Sequence, residues 1–297
     1  MHTYPSVPHV ENAPDGLLEE GHLWLLEHVD GAHLRFQLRD SGAIRFGDRN
    51  RVYQDPADIP APYRHAVRHV RERLDRDALR EAVANVEDVT VFGEATHRHA
   101  IDYDWERTPS FLGFDVRSAS AGFLPPDAVE RVLEALDLVP VHAVDREVRA
   151  RDFDPDSCPI PESAYYDGPA AGVVIRDKAG RRAVLPHPEF SGDAEPPFAA
   201  ASESGSTPTE SGAASTSVPV DAHAAADRYA TRARFERVAT RLEEAGRPVT
   251  FDALYDRVLE AIAREHHDRL HDGRQAIDMD DFRAAVAART RRFLDDR

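Results

Sequence analysis

Apolar residues recur in two rhythms along this chain. From about residue 22 to residue 190, short apolar runs alternate with turn residues and predict β-strands: HLWLLEHV (22–29), HLRFQL (33–38), VTVFG (89–93), SFLGFDV (110–116) and AGVVI (171–175). Within that region RHAVRHVRERLDRDALREAVANV (64–86) and PDAVERVLEALDL (126–138) carry apolar positions at helical spacing. Beyond residue 227 the rhythm is helical throughout. RYATRARFERVATRLEEAG, TFDALYDRVLEAIAREHHDRLHD and DMDDFRAAVAARTRRFLDD are amphipathic and separated by Gly, Pro or Asp signals. Between the two regimes, residues 191–227 are rich in Ala, Ser, Gly, Pro and Thr with almost no large aliphatics, a composition that cannot offset the entropy of ordering. The pattern predicts an α+β domain of antiparallel strands over 1–190, a disordered linker over 191–227 and a small all-α C-terminal domain of three helices over 228–297.

Composition narrows the setting. The chain has 297 residues, 54 Asp+Glu against 37 Lys+Arg and a formal net charge of -17, and all but one of its basic residues are arginine, the exception being Lys178. Any mechanism needing a second lysine is excluded. Excess carboxylate with scarce lysine suits a cytosol of very high salt, where screening shortens the reach of repulsion, and points to a halophilic, haloarchaeal source. In that setting the acidity weighs little against a nucleic-acid partner. A single cysteine, Cys158, cannot form an internal disulfide, and with neither base nor second thiol nearby it reads as incidental. No apolar run reaches the roughly 18 residues of a membrane span, and MHTYPSVPHVENAPDG lacks the features of a signal peptide, so a cytoplasmic protein with no membrane partner is expected. The arginine-rich helical stretches could line a nucleic-acid groove, but they interleave with acids, a pattern more often seen on a salt-bridged solvent face.

The chemistry-bearing segments are short blocks in a fixed order, each joining an apolar strand to a charged or glycine-rich end. They are LEHVDGAHLRF (26–36), FGDRNR (46–51), FGEATHRHAIDYDW (92–105), FLGFDV (111–116), AAGVVIRD (170–177) and RRAVLPHPEF (181–190). Any one alone reads as a turn; six in order resemble the ATP-dependent RNA ligases of the RNA ligase 2-like family, in the nucleotidyltransferase superfamily. The resemblance implies a nucleotidyltransferase domain with ATP-grasp-like antiparallel sheets flanking a nucleotide cleft. It also implies ATP as cofactor, Mg²⁺ or Mn²⁺ if the protein is active, and RNA or other polynucleotide ends as partner.

The same resemblance distributes roles over residues. The family's first block is Lys-x-Asp-Gly, whose lysine becomes adenylylated before AMP passes to a 5′-phosphate end and a 3′-hydroxyl displaces it. Here His28 stands at the lysine position, with Asp30 and Gly31 keeping the register and Glu27 beside it. Arg49, Arg51 and Arg176 are implied to meet phosphate or ribose, Glu94 to bond ribose and Phe114 to stack on adenine. Two blocks depart from the pattern: the metal-binding Glu of Glu-Gly-Val-Val is Ala171, and the phosphate-binding Lys of Arg-Ala-Lys-Leu is Val184. Lys178 falls in the turn DKAG and is expected to point to solvent. Asp115 and Asp177 are the nearest carboxylates by chain position to replace the lost one, and no residue is assigned to a metal. The expected function is ATP-dependent sealing of RNA ends through an adenylylated His28, the alternative a pseudo-ligase that binds nucleotide or RNA ends without catalysis. His97 and His99 read as surface polar residues, and His267 with His271 as a solvated helix face, rather than as metal ligands.

Overall fold

The structure is a computed structural model describing residues 1–190, 218–270 and 275–297. The expected linker therefore lies, through residue 217, outside the described residues, as does His271. The chain divides into two compact units, Met1–Ser202 and Glu203–Arg297. Among the described residues no helix is long and apolar enough to cross a membrane.

The first unit is built on two antiparallel sheets. One has the order β7-β1-β8-β9, from β1 (His22–His28), β7 (Ala143–Arg149), β8 (Gly172–Asp177) and β9 (Arg182–Pro186). The other runs β3-β2-β4-β5-β6, from β2 (Ala32–Leu38), β3 (Ile44–Gly47), β4 (Val89–Ala95), β5 (Phe111–Ser118) and β6 (Gly122–Phe123). Helices α1 (Arg64–Arg73), α2 (Arg76–Ala82) and α3 (Pro126–Ala135) cover one face of the five-stranded sheet. Alternation in β2 and β4 sorts their side chains: Leu34, Phe36, Leu38, Val89, Val91 and Ala95 pack against Ala66, Val67 and Val70 of α1 and Val129 and Leu133 of α3. Each Val, Leu and Phe among them contributes roughly 1.5–3 kcal/mol by leaving water. The opposite face carries His33, Arg35, Thr90, Phe92 and Glu94, all buried as well. An expected α+β unit of antiparallel strands is what the structure shows.

Two departures from sequence periodicity have local causes. The helical stretch 64–86 breaks at Leu74, because the Asp75 carboxylate caps a new helix by accepting from Asp77 N at 3.1 Å and Ala78 N at 2.9 Å. Its own N–H turns outward to Leu136 O at 3.0 Å. In the second unit, α4 (Ala222–Tyr229) precedes α5 (Arg232–Glu244), α6 (Phe251–Glu265), α7 (His267–Leu270) and α8 (Met279–Asp295), with a short parallel pair of β10 (Val218–Val220) and β11 (Gln275–Ile277). Helix α4 starts inside the stretch read as linker. Its buried stripe is Ala222, Ala225, Ala226 and Tyr229, small residues that a search for large aliphatics passes over. Phe235, Leu242, Leu254, Val258, Ile262, Phe282 and Val286 complete that unit's core.

Candidate functional site

β1 ends at His28 in one sheet and β2 begins at Ala32 in the other, so the turn Val29–Gly31 joins the two sheets. Gly31 is required there: a Cβ would sit 2.7 Å from Ala95 O and 2.8 Å from Glu94 Cγ. Asp30 anchors the turn to the loop after β4. Its Oδ2 accepts from Ala100 N at 2.8 Å and Ile101 N at 3.0 Å, and its N–H donates to Tyr103 Oη at 2.7 Å. On the other side His28 pairs in register with Gly172, whose φ of 155° and whose missing Cβ, which would lie 2.5 Å from Leu185 O, let β8 and β9 approach closely.

Above this junction is a cleft that, counting space open to solvent, encloses about 490 Å³. Glu27, His28, Glu94, Phe114 and Arg176 all line it, together with Tyr4 and Val7 of the N-terminal segment and apolar residues such as Leu112. Phe114 reaches it through a bulge: Phe92 pairs with Asp115 and Gly93 with Gly113, leaving Phe114 as the extra residue whose ring is re-aimed.

The polar groups divide into those already engaged and those facing the space. Glu27 accepts from the Ser163 hydroxyl and from Ala164 N at 3.0 Å, and burial raises its pKa against those two bonds. Arg176 lines the wall, but its guanidinium donates to Asp115 Oδ1 at 2.9 Å, Phe114 O at 3.2 Å and Leu124 O. Burial pushes the His28 imidazole down to about 4, against the pull of Asp30 and a hydrogen bond with the Ala171 backbone, so it is neutral at neutral pH. Glu94 is 4% exposed, and its Oε1 has no hydrogen-bond partner among the described residues. Burial and Asp30 push its carboxyl well above the ordinary range, against Arg49. Arg49 follows β3, half-buried, with its charge directed at Glu94 and Tyr4.

Asp30 and Gly31 thus build the turn behind the cavity rather than its wall. Arg51 is exposed, and its N–H donates to Asp48 Oδ1 at 2.6 Å. The two positions at which the resemblance leads one to expect a glutamate and a lysine lie in apolar surroundings. Ala171 is buried with Val29, Ile101, Tyr103 and Leu112, and Val184 with Tyr4, Val7 and Phe92. Neither spare carboxylate is open: Asp115 accepts from Tyr4 Oη at 3.0 Å and pairs with Arg176 and, at 3.0 Å, Arg182, while Asp177 holds Arg181 at 2.6 Å. Lys178 lies in the β8–β9 turn as expected, half-exposed, with Nζ 2.7 Å from Glu147 Oε1. His99 is exposed, but His97, expected at the surface, is buried beside Tyr63 and His65. Cys158 has its thiol pKa raised by burial, which disfavours the thiolate.

Sequence reading missed the N-terminal segment and the charged cluster beneath Phe114. Tyr4, Val7 and Val10 recur at intervals of three among prolines, too short a signal for a strand or helix. Nothing in FLGFDV marks Asp115 as wholly buried between two arginines.

The family model for RNA ligase matches residues 21–190. Among solved structures, an archaeal ATP-dependent RNA ligase (form 1) aligns with 99% of this chain and 66% of its own length at 15% identity, TM-score 0.47. Naegleria gruberi RNA ligase with PPi aligns over 64% of this chain and 57% of its own at 16% identity, TM-score 0.48. A mutant of the Naegleria gruberi RNA ligase with ATP and Mn gives 14% identity and a TM-score of 0.49 over the same shares, 64% and 57%. The chain therefore spans 57% to 66% of the length of these solved structures. No curated protein matches it.

Proposed function

The chain belongs to the RNA ligase family, and from that premise we propose that its first unit holds an adenine nucleotide, and with it an RNA end, in the cavity between the two sheets, without the full sealing chemistry of an ATP-dependent ligase. The observation that carries this reading is the convergence of His28, Glu94 and Phe114 on one cavity, although they come from three strands in two sheets. Phe114 offers a ring for a base to stack on, worth roughly 1–3 kcal/mol per base. Glu94 offers an open carboxyl oxygen to ribose hydroxyls.

A divalent metal does not fit the carboxylates present. Mg²⁺ requires a nearly octahedral oxygen shell, usually with one or two carboxylates. Glu27 is held by Ser163 and Ala164, Asp30 by the loop, Asp115 by two arginines and Asp177 by Arg181. Glu94, the carboxyl left facing the cavity, is biased toward its neutral form. Position 171, where the family pattern has its glutamate, is an alanine in an apolar cluster.

A second reading, adenylyl transfer through His28, is favoured by the neutral imidazole in the cavity wall. The ring nitrogen that carries no proton would attack the α-phosphorus of ATP, releasing pyrophosphate and leaving AMP on the ring. An RNA 5′-phosphate would then take the AMP, and a 3′-hydroxyl would displace it. One experiment separates the readings: purified protein is incubated with α-labelled ATP and Mg²⁺ or Mn²⁺, quenched at neutral or alkaline pH to preserve an acid-labile histidine phosphoramidate, and run on a denaturing gel. The binding reading expects no covalent label on wild type and label on the His28→Lys, Ala171→Glu, Val184→Lys variant. Label on wild type that disappears in His28→Ala overturns it in favour of the second.

A further inference from the structure

The cavity's lining identifies the ligand more narrowly than nucleotide binding does. Three features bear on how much negative charge it can take. First, the groups that face the space are those a nucleoside needs: the Phe114 ring for a base, and the buried Glu94 Oε1, without a partner among the described residues, for a sugar hydroxyl. Second, the place where the family pattern has its phosphate-binding lysine is closed and apolar. Val184 is 3% exposed, packed with Tyr4, Val7 and Phe92, and the N-terminal segment is fastened over it by a bond from Val184 N to Pro8 O at 2.9 Å and a parallel bridge from His9. The same segment is tied to the facing sheet by Tyr4 Oη on Asp115 at 3.0 Å and by Arg35 donating to His2 O. Polyphosphate there would lose its water and meet only Arg182, which Asp115 already holds at 3.0 Å. Third, the cations at and beneath the cavity are few and engaged already. Asp115 holds Arg176 at 2.9 Å and Arg182 at 3.0 Å, and Arg49 faces Glu94, so with Glu94 neutral three guanidiniums against one carboxylate leave two positive charges, enough for a monophosphate and too few for a triphosphate.

We propose that this cavity receives a nucleoside or nucleoside monophosphate unit without a divalent metal, and discriminates against a metal–nucleoside triphosphate. The inference rests on the nucleotide reading above and narrows its ligand. Tyr4 and Val7 are then specificity-determining residues, because they line the cavity and pack against Val184.

The test is isothermal calorimetry on the full chain with adenosine, AMP and ATP, each with EDTA and with excess Mg²⁺, at low and at high KCl. Adenosine and AMP should bind within about tenfold of each other and ATP at least about tenfold more weakly, a gap of one decade in Kd. Added Mg²⁺ should move none of the three by more than about twofold. Phe114→Ala, checked for unchanged circular dichroism, should weaken adenosine by about tenfold, which places the ligand at this ring. ATP with Mg²⁺ binding about tenfold tighter than AMP overturns the inference and leaves the nucleotide reading standing. Absence of binding by all three overturns both.

Discussion

At position 28 the chain has a short ring whose charge the surroundings refuse. His28 has its pKa moved from 6.5 down to about 4 by burial, so between those values the unfolded chain binds a proton that the folded chain does not. Stability contributed by the neutral ring is fully present above pH 6.5 and is lost as pH falls toward 4, by on the order of 3 kcal/mol. His33, pushed to about 3 mainly by burial, acts in the same direction. Glu94 and Glu27 act oppositely: their raised pKa values stabilise the protein at low pH, and that contribution fades as pH rises through their folded values. The wild-type slope is therefore a difference, whereas comparison with His28→Gln isolates one ring. Urea unfolding of both proteins across that range should show the variant losing less stability on acidification; parallel curves would show that His28 is not buried as described. The turn at Asp30 and Gly31, directly after His28, was legible because an Asp-Gly pair between two apolar runs marks a turn. Arg176 was not legible in the same way, because its partner Asp115 lies 61 residues away and only the fold brings them together.

At the level of elements, β2 and β5 show what periodicity tells and what it conceals. HLRFQL alternates polar and apolar residues as a half-buried strand should, yet both faces of β2 are buried: Leu34, Phe36 and Leu38 under the helices, His33, Arg35 and Gln37 on the side that bears the cavity. A run of alternating residues does not distinguish water from a polar interior. In β5 the bulge at Phe114 breaks alternation, turning Phe114 to the cavity and Asp115 into a cluster with Tyr4, Arg176 and Arg182 that joins β5 of one sheet to β8 and β9 of the other. The Arg182 guanidinium also lies over the rings of Tyr4, at 4.8 Å, and Phe123, at 4.6 Å. Two guanidiniums share one wholly buried carboxylate, so Asp115→Asn leaves both charges uncompensated and should cost about 3–5 kcal/mol. Because Arg176 also donates to Phe114 O, the same variant should weaken adenosine binding beyond what its lost stability explains when measured well below its melting temperature. A loss below about 1 kcal/mol, the level of an exposed ion pair, would show that the cluster does not hold the sheets together.

Over the whole molecule the deciding quantity is charge, 54 carboxylates against 37 basic residues for a net -17. Added salt acts on this surface in two opposing ways. It weakens exposed pairs such as Arg73–Asp137 at 3.0 Å and Arg232–Glu236 at 3.0 Å, each worth about 0–1 kcal/mol. It also screens carboxylates that have no cation, and since acids outnumber bases the repulsive contribution is the larger one. The Debye length falls from about 10 Å at 0.1 M to about 3 Å at 1 M, shorter than typical distances between neighbouring surface charges, so screening is nearly complete by molar KCl. Melting temperature should therefore climb by several degrees as KCl approaches about 1 M and then level off. Sulfate works by exclusion from the surface and keeps stabilising as its concentration rises, so it provides the contrasting curve. Differential scanning fluorimetry in both salts checks this. A rise in KCl with no plateau would assign the effect to exclusion, and a melting temperature that does not move would mean the acidic surface carries no net strain in ordinary buffer, removing the physical ground for a high-salt origin.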